Sequence, residues 1–400
     1  MMDSKALLAA LIGFDTTSRE SNLQLIEFVR DYLENLQVPS ELVYNDERTK
    51  ANLFATIGPT DRPGIVLSGH TDVVPVDGQA WSFPPFVLSE ADGKLYGRGT
   101  ADMKGYIACV LAAVPGLLAE PLQVPVHIAL SYDEEVGCLG VRGLLAVLEQ
   151  RLHKPLLCII GEPTQLQPVL GHKGKLGMRC DVQGAACHSA YAPLGVNAIE
   201  YAADLIGELK RIGTTLRAAH LCDARFDPPF TTVQTGVISG GKALNIVPAD
   251  CRFDFEIRAL PAQDPAEVAA QLMRYAQQHV LPKMREVDAS SDIRFSELSA
   301  YPGLATDSGS QAAELIARIC GSDAFTTVAF GTEGGLFDAI GISTVVCGPG
   351  SMDQGHKPDE FISIAQLHAC DAMLGRLTEL LRRESPVPSG NSQSERPASA

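Results

Sequence analysis

The chain has no apolar run long enough to cross a bilayer. Its longest uninterrupted stretch, around Cys109–Ala119, holds about eleven residues including Pro115 and Gly116, whereas a span needs about 18 or more. Basic residues are scarce, with 32 Lys and Arg against 48 Asp and Glu and a formal charge of −16. Such a surface repels phosphate backbones and anionic headgroups at long range, so neither nucleic acid nor membrane is expected as a partner. The ten cysteines form no Cys-x-x-Cys pair, a pattern that fits reduced, mostly buried thiols in the cytoplasm. Internal repeats are absent, and no basic leader or small-residue cleavage site accompanies the short apolar run Ala6–Ile12, so no secretory signal is expected.

Several catalytic signatures are missing as well. No Gly-x-Ser-x-Gly elbow and no His-Glu-x-x-His pair occurs. Gly236–Ala243 comes close to a phosphate-binding loop but lacks the closing Ser or Thr and sits between two strands. Gly97–Asp102 lacks the third glycine of a dinucleotide fingerprint.

What is present is an ordinary globular composition, 46% apolar and 20% charged over 400 residues, enough for two domains. Helical periodicity opens the chain over Lys5–Leu36. The apolar runs Ile65–Ser68, Val124–Leu130 and Leu156–Ile160 read as buried strands alternating with helices Ala101–Leu118 and Val141–Gln150. From Gly174 the pattern changes. Strand Lys175–Gln183, helix Asn197–Leu216, strands Thr231–Ile238 and Cys251–Ile257, a long helix Pro265–Arg285 and strand Ile293–Leu298 give a β-α-β-β-α-β order. After about Leu304 the α/β alternation returns with helix Gln311–Cys320, strands Thr327–Phe330 and Thr344–Cys347, and helix Ile364–Leu381. The expected fold class is therefore α/β, residues 1–174 and 301–384, interrupted by an α+β, ferredoxin-like insertion over 175–300. Residues 385–400, rich in Ser, Pro and Gly, are expected to be a disordered tail.

The strands of the α/β part end in polar residues, where ligands bind in open α/β sheets. Gly69-His70-Thr71-Asp72 places residues i and i+2 on one face, so Asp72 can hold the second ring nitrogen of His70. Asp102 reads as a helix cap or a ligand, and Glu134-Glu135 as a solvated turn or a functional pair. Glu162 closes a buried strand, where a lone carboxylate is costly without a cation. His356 follows a glycine-rich loop that can return it to the sheet edge. Two imidazoles and three carboxylates, with Asp102 bridging, would give two divalent ions three protein ligands each. Mixed N/O ligation suits Zn, with Co or Mn also accommodated, and Glu134 or Glu135 is left over as a general base.

Ser68–Pro75, Tyr96–Gly105, Asp133-Glu134-Glu135 and Gly161-Glu162-Pro163-Thr164 resemble the di-zinc aminoacylase, desuccinylase and carboxypeptidase family of metallohydrolases, over about residues 5–383. That resemblance implies a catalytic domain carrying an inserted lid and dimerisation domain, and a homodimer. It implies that His70 and Glu162 hold one ion, Glu135 and His356 the other, with Asp102 between them, Glu134 the base and Asp72 assisting. His188 in the insertion would polarise the scissile carbonyl across closing domains, and Asn245 and Arg258 would meet the substrate carboxylate. The implied activity is hydrolysis of an N-acyl amino acid, foremost N2-acetylornithine to ornithine and acetate. The alternatives are desuccinylation, a broad aminoacylase or peptidase, and a non-catalytic small-molecule-binding relative. Glu333 follows strand Thr327–Phe330, so it is expected at the same sheet edge as a partner for the substrate's amine, or as a cap of the next helix.

Overall fold

A computed structural model of the chain describes residues 2–383, and the tail expected over 385–400 lies outside them. The strands form a large mixed sheet in the order 40–44, 51–57, 126–131, 65–70, 157–163, 343–348, 169–172 and 304–305, with 326–328 also pairing onto 169–172. Strands 65–70, 126–131, 157–163 and 343–348 are mutually parallel where they pair. The register sets His70 opposite Ser131 and Gly348 opposite Pro163. Four carboxyl ends therefore reach one edge together, which is what parallel pairing imposes on strands of similar length.

Both faces of this sheet are covered, as near-continuous apolar strands require. One face packs on helices Ser4–Ile12, Lys104–Leu118, Gln311–Cys320 and Ile364–Arg383, with Leu67, Ile128 and Ile159 in that core. The other face, with Val66, Ala129, Cys158 and Ile160, packs on helices Val141–Glu149 and Gly334–Ala339. Capping fixes several helix starts. Asp3 accepts from the Ala6 amide at 2.8 Å and Ser310 from Ala313 at 3.2 Å. Gly321 ends the helix Gln311–Cys320 in the left-handed conformation at φ 71°.

The second sheet is antiparallel, ordered 232–240, 250–259, 174–183 and 292–301. Helices Ala198–Leu216 and Pro265–Tyr275 pack against it through a core that includes Leu205, Phe253 and Leu272. The β-α-β-β-α-β order and the fold class are thus as the sequence pattern predicts. The long helix expected over Pro265–Arg285 is present and runs to Val287, with a single π turn at Ala276–Val280 inside it. Pro282 supplies a reason for the π turn, because it has no amide proton and its ring displaces the hydrogen-bond ladder of the preceding turn. A third, three-stranded sheet of residues 361–363, 94–96 and 89–91 was not visible in the sequence pattern, since runs of three residues carry no periodicity.

Candidate metal centre

His70 ends its strand buried, with Nε2 3.0 Å from Asp102 Oδ1 and 3.7 Å from Glu162 Oε1. The other oxygen of Asp102 lies 3.2 Å from His356 Nε2, which is 3.1 Å from Glu135 Oε2. Two ligand groups result: His70, Asp102 and Glu162, then Asp102, Glu135 and His356. Within each, the ligand atoms all lie within 4.8 Å of one another. Asp102 turns one oxygen to each group. It does not cap the following helix, which begins at Lys104 behind Met103 with no side-chain cap. The cap reading fails because the carboxylate is engaged by imidazoles on the opposite side.

The electrostatics favour a cation here. Burial, reinforced by the charge of Asp102, pushes the Glu162 carboxyl well up and that of Glu135 to about 7, and burial lifts Glu134 likewise. For Asp102 itself burial is outweighed by the hydrogen bonds to His356 and His70, which hold it well below the usual carboxylate range. Those same bonds, to Asp102 and Glu135, raise His356 to about 10. Carboxylates crowded in a low-dielectric pocket repel one another, and the mixed imidazole and carboxylate donors suit a zinc-like divalent ion. The residues present fit the group they would hold.

The loops that aim these ligands are themselves held. Asp72 lies against His70, as its spacing suggests, and has a further task. His70 Nδ1 lies 2.9 Å from the main-chain oxygen of Asp72 and 3.5 Å from its carboxylate. That carboxylate also accepts from Ser18 Oγ at 2.7 Å and from the amides of Glu134 and Glu135 at 3.1 and 3.3 Å. It therefore orients both glutamates by their backbone. Asp133 at φ 55° and His356 at φ 62° occupy left-handed conformations beside the site, a cost of the kind that accumulates around functional loops.

A second support was invisible to sequence reasoning. Glu360, fully buried, accepts from the amides of Ala101 and Asp102 with Oε1 at 2.9 and 3.1 Å. Its Oε2 accepts from the Gly99 amide at 3.0 Å and from Arg98 at 2.6 Å. Arg98 is also buried, donates to Gln79 at 2.7 Å and lies over Trp81. No local signal joins residues 258 positions apart.

A cavity of about 140 Å³ opens on the centre, and Asp102, Glu134, Glu135, Glu162 and His356 face Lys175, Arg258 and Tyr301 across it. Arg258 donates to Tyr301 Oη at 3.0 Å and reaches Glu256 at 3.3 Å. Lys175 makes no ion pair among the described residues, so two cations from the small sheet look onto the carboxylate-rich edge. His188 and Asn245 are brought together elsewhere: the Ser189 amide donates to Asn245 O at 3.0 Å, and His188 bridges Ile246. Both are exposed on the small-sheet layer and neither lines the cavity. Glu333 does not line it either. It starts the helix Gly334–Ala339 without a side-chain cap bond and lies buried, lifted to about 7 by burial. Its carboxyl is buried close enough to the centre for its charge to act on Glu134.

Paired ligand groups that share one carboxylate, with a further glutamate at hand and cations opposite, are the equipment of a metal-dependent hydrolase. The chain belongs to peptidase family M20/M25/M40, which it matches over residues 66–380. It is 36% identical to an acetylornithine deacetylase of Myxococcus xanthus over 377 residues, covering 93% of this chain and 96% of that one. It is 35% identical to an acetylornithine deacetylase of Pasteurella multocida, covering 93% and 96%. In structure it resembles an M20 family metallo-carboxypeptidase from Sulfolobus solfataricus, with a TM-score of 0.76, 20% identity and coverage of 96% and 100%. Human carnosine dipeptidase 1 is similar with a TM-score of 0.71, 17% identity and coverage of 94% and 97%. These two likenesses concern the fold.

Glu360→Gln tests the support. It leaves the Arg98 guanidinium buried without its counter-charge and turns one amide nitrogen toward donors, so the unfolding free energy falls by about 3–5 kcal/mol in denaturant titration. Unchanged stability would show that the loop holds Asp102 without Glu360.

Proposed function

We propose that this chain removes the acetyl group from N2-acetyl-L-ornithine, giving L-ornithine and acetate, as a cytoplasmic homodimer with two divalent ions per chain, zinc foremost and cobalt or manganese as substitutes. The observation that carries the hydrolytic reading is the carboxylate of Asp102 set between His70 and His356 with Glu134 beside them. The choice of substrate is supported by the relatives, which are named acetylornithine deacetylases over nearly their whole length.

Ions held by His70, Asp102, Glu162, Glu135 and His356 would supply an acidified water and a polarised acyl carbonyl. Glu134, which serves neither ligand group, takes the proton of the attacking water and returns it to the leaving nitrogen, so that one carboxylate acts as base and then as acid. The guanidinium of Arg258 takes the substrate's carboxylate by charge-assisted hydrogen bonds, with Lys175 beside it in the cavity wall. His188 donates to the acyl oxygen once the small-sheet layer, residues 175–300, closes as a lid over residues 1–174 and 301–384, and Asn245 travels with it.

The homodimer is supported by strand Thr232–Gly240, an edge of the small sheet on which Val237 and Ile238 are 60% and 53% exposed. An unpaired edge with apolar side chains is a ready surface for pairing. Among the described residues no helix is long and apolar enough to cross a membrane. All ten cysteines are free thiols, which supports a reducing compartment.

Purified zinc-loaded enzyme should hydrolyse N-acetylornithine with a higher kcat/KM than N-succinyl-diaminopimelate or N-acetylmethionine. Glu134→Gln keeps the shape but loses the base, so turnover falls by ~10²–10⁴-fold while metal content is kept. Loss of metal with little kinetic change would exchange the roles of Glu134 and Glu135, and a preference for either rival substrate would overturn the assignment to ornithine.

His188→Ala should lower turnover by ~10²–10³-fold, the cost of one oxyanion donor. Mixing that variant with Glu134→Ala chains regains activity if His188 reaches the centre of a partner subunit. Mixed dimers that form yet stay inactive confine His188 to its own chain.

A further inference from the structure

Helix Gln311–Cys320, strand Ser343–Gly348 and helix Ile364–Arg383 meet on the face of the large sheet that carries its main core. There three sulfur atoms converge. Cys320 Sγ lies 3.5 Å from Cys347 Sγ and 3.6 Å from Met373 Sδ, and Cys347 Sγ lies 4.0 Å from Met373 Sδ. A point equidistant from the three would stand about 2 Å from each, close to the metal–thiolate bond length of about 2.3 Å. Buried thiols commonly serve as small apolar fillers; the separations here are those of packed sulfurs and also those that three donors on one ion would keep.

The chemistry of the donors selects the ligand. Among the described residues, the only groups of three or more His, Cys, Asp and Glu side chains placed to share an ion are the two at the catalytic cleft. No imidazole or carboxylate therefore completes a four-coordinate zinc site at these sulfurs. Two thiolates and a thioether are soft donors, which favour copper(I) over the harder divalent ions. Cys347 and Met373 are buried and Cys320 is half-buried at the end of its helix, leaving a way in. The hydrogen bond between the two thiols draws Cys320 below its usual range, helped by the nearby Arg376 guanidinium, and together with burial pushes Cys347 well above its own, so the second proton leaves only as the cation binds. That guanidinium, which donates to Ile319 O, would also offset the single negative charge left when two thiolates bind a monovalent cation.

We propose that Cys320, Cys347 and Met373 form a site for one soft monovalent cation of the copper(I) and silver(I) class, separate from the catalytic centre. Binding forms two metal–thiolate bonds and one metal–thioether bond and releases the two thiol protons to solvent, with no change of oxidation state. The site uses the opposite side of strand Ser343–Gly348 from Val346, which packs in the other core.

The test is titration of zinc-loaded enzyme with copper(I), without oxygen, against a chromophoric copper(I) chelator. One equivalent should be taken up with zinc retained, and X-ray absorption at the copper edge should show sulfur neighbours only. Cys320→Ser and the volume-conserving Met373→Leu should each weaken uptake at least about 10-fold, with melting temperature and N-acetylornithine hydrolysis recorded to confirm the fold. The variants of the half-buried Cys187 and the exposed Cys222, Cys187→Ser and Cys222→Ser, should leave uptake unchanged. Affinity that survives Cys320→Ser or Met373→Leu, follows Cys187 or Cys222 instead, or shows nitrogen or oxygen neighbours at copper would overturn the proposal.

Discussion

One carboxylate, that of Asp102, has to serve two imidazoles from opposite ends of the chain, and the rest of the structure can be read as what is needed to keep it there. A buried carboxylate is expensive unless charge and hydrogen bonds surround it. His70 and His356 meet its two oxygens, and Glu360 fixes the backbone that carries it. Glu360 is in turn neutralised by Arg98. Lys104, two residues further on, ties the same segment to the first helix through the carbonyls of Leu11 and Phe14. The parallel register then decides where everything else falls, because His70, Glu162 and the segments leading to Glu135 and His356 all leave the sheet at one edge.

Four of the five proposed ligands were legible as candidates because they end, or follow, an apolar strand, where a charged group needs a partner; Asp102 precedes a helix and read equally as a cap, and the share of each residue in an ion came from the family resemblance. His70 and Glu162 are strand-terminal, and Glu134 and Glu135 follow within a few residues. The β-α-β-β-α-β insertion was legible for a similar reason, since the switch from continuous to alternating apolar runs marks a sheet with one covered face. Asp72 shows the limit of spacing. Period two puts its side chain near His70, but the strand ends at His70 and the chain turns, which brings the main-chain oxygen closest to the imidazole and lets the carboxylate also accept from the amides of Glu134 and Glu135. Glu360, Lys175 and Tyr301 reach the site only through tertiary pairing, and no local pattern announces them. Glu333 follows its strand as expected but stands at the start of a helix and is buried, so it does not line the cavity.

The cleft divides its chemistry between the two sheets. Carboxylates and imidazoles come from the large sheet, and Lys175 and Arg258 come from the base of the small one. A substrate with a carboxylate near a scissile amide would bridge the two, and the layer carrying His188 and Asn245 would close over it. The proposed sulfur site draws on the same strand that leads to His356, through Cys347 on the face turned to the main core.

The sharing of Asp102 is tested most directly by metal stoichiometry. Elemental analysis after mild zinc loading and gel filtration should give two ions per wild-type chain, about one for His70→Ala and for His356→Ala, and marked loss of both for Asp102→Ala. If Asp102→Ala kept two ions, or if the wild type held only one, the carboxylate would not be the shared ligand and this account of the centre would be wrong.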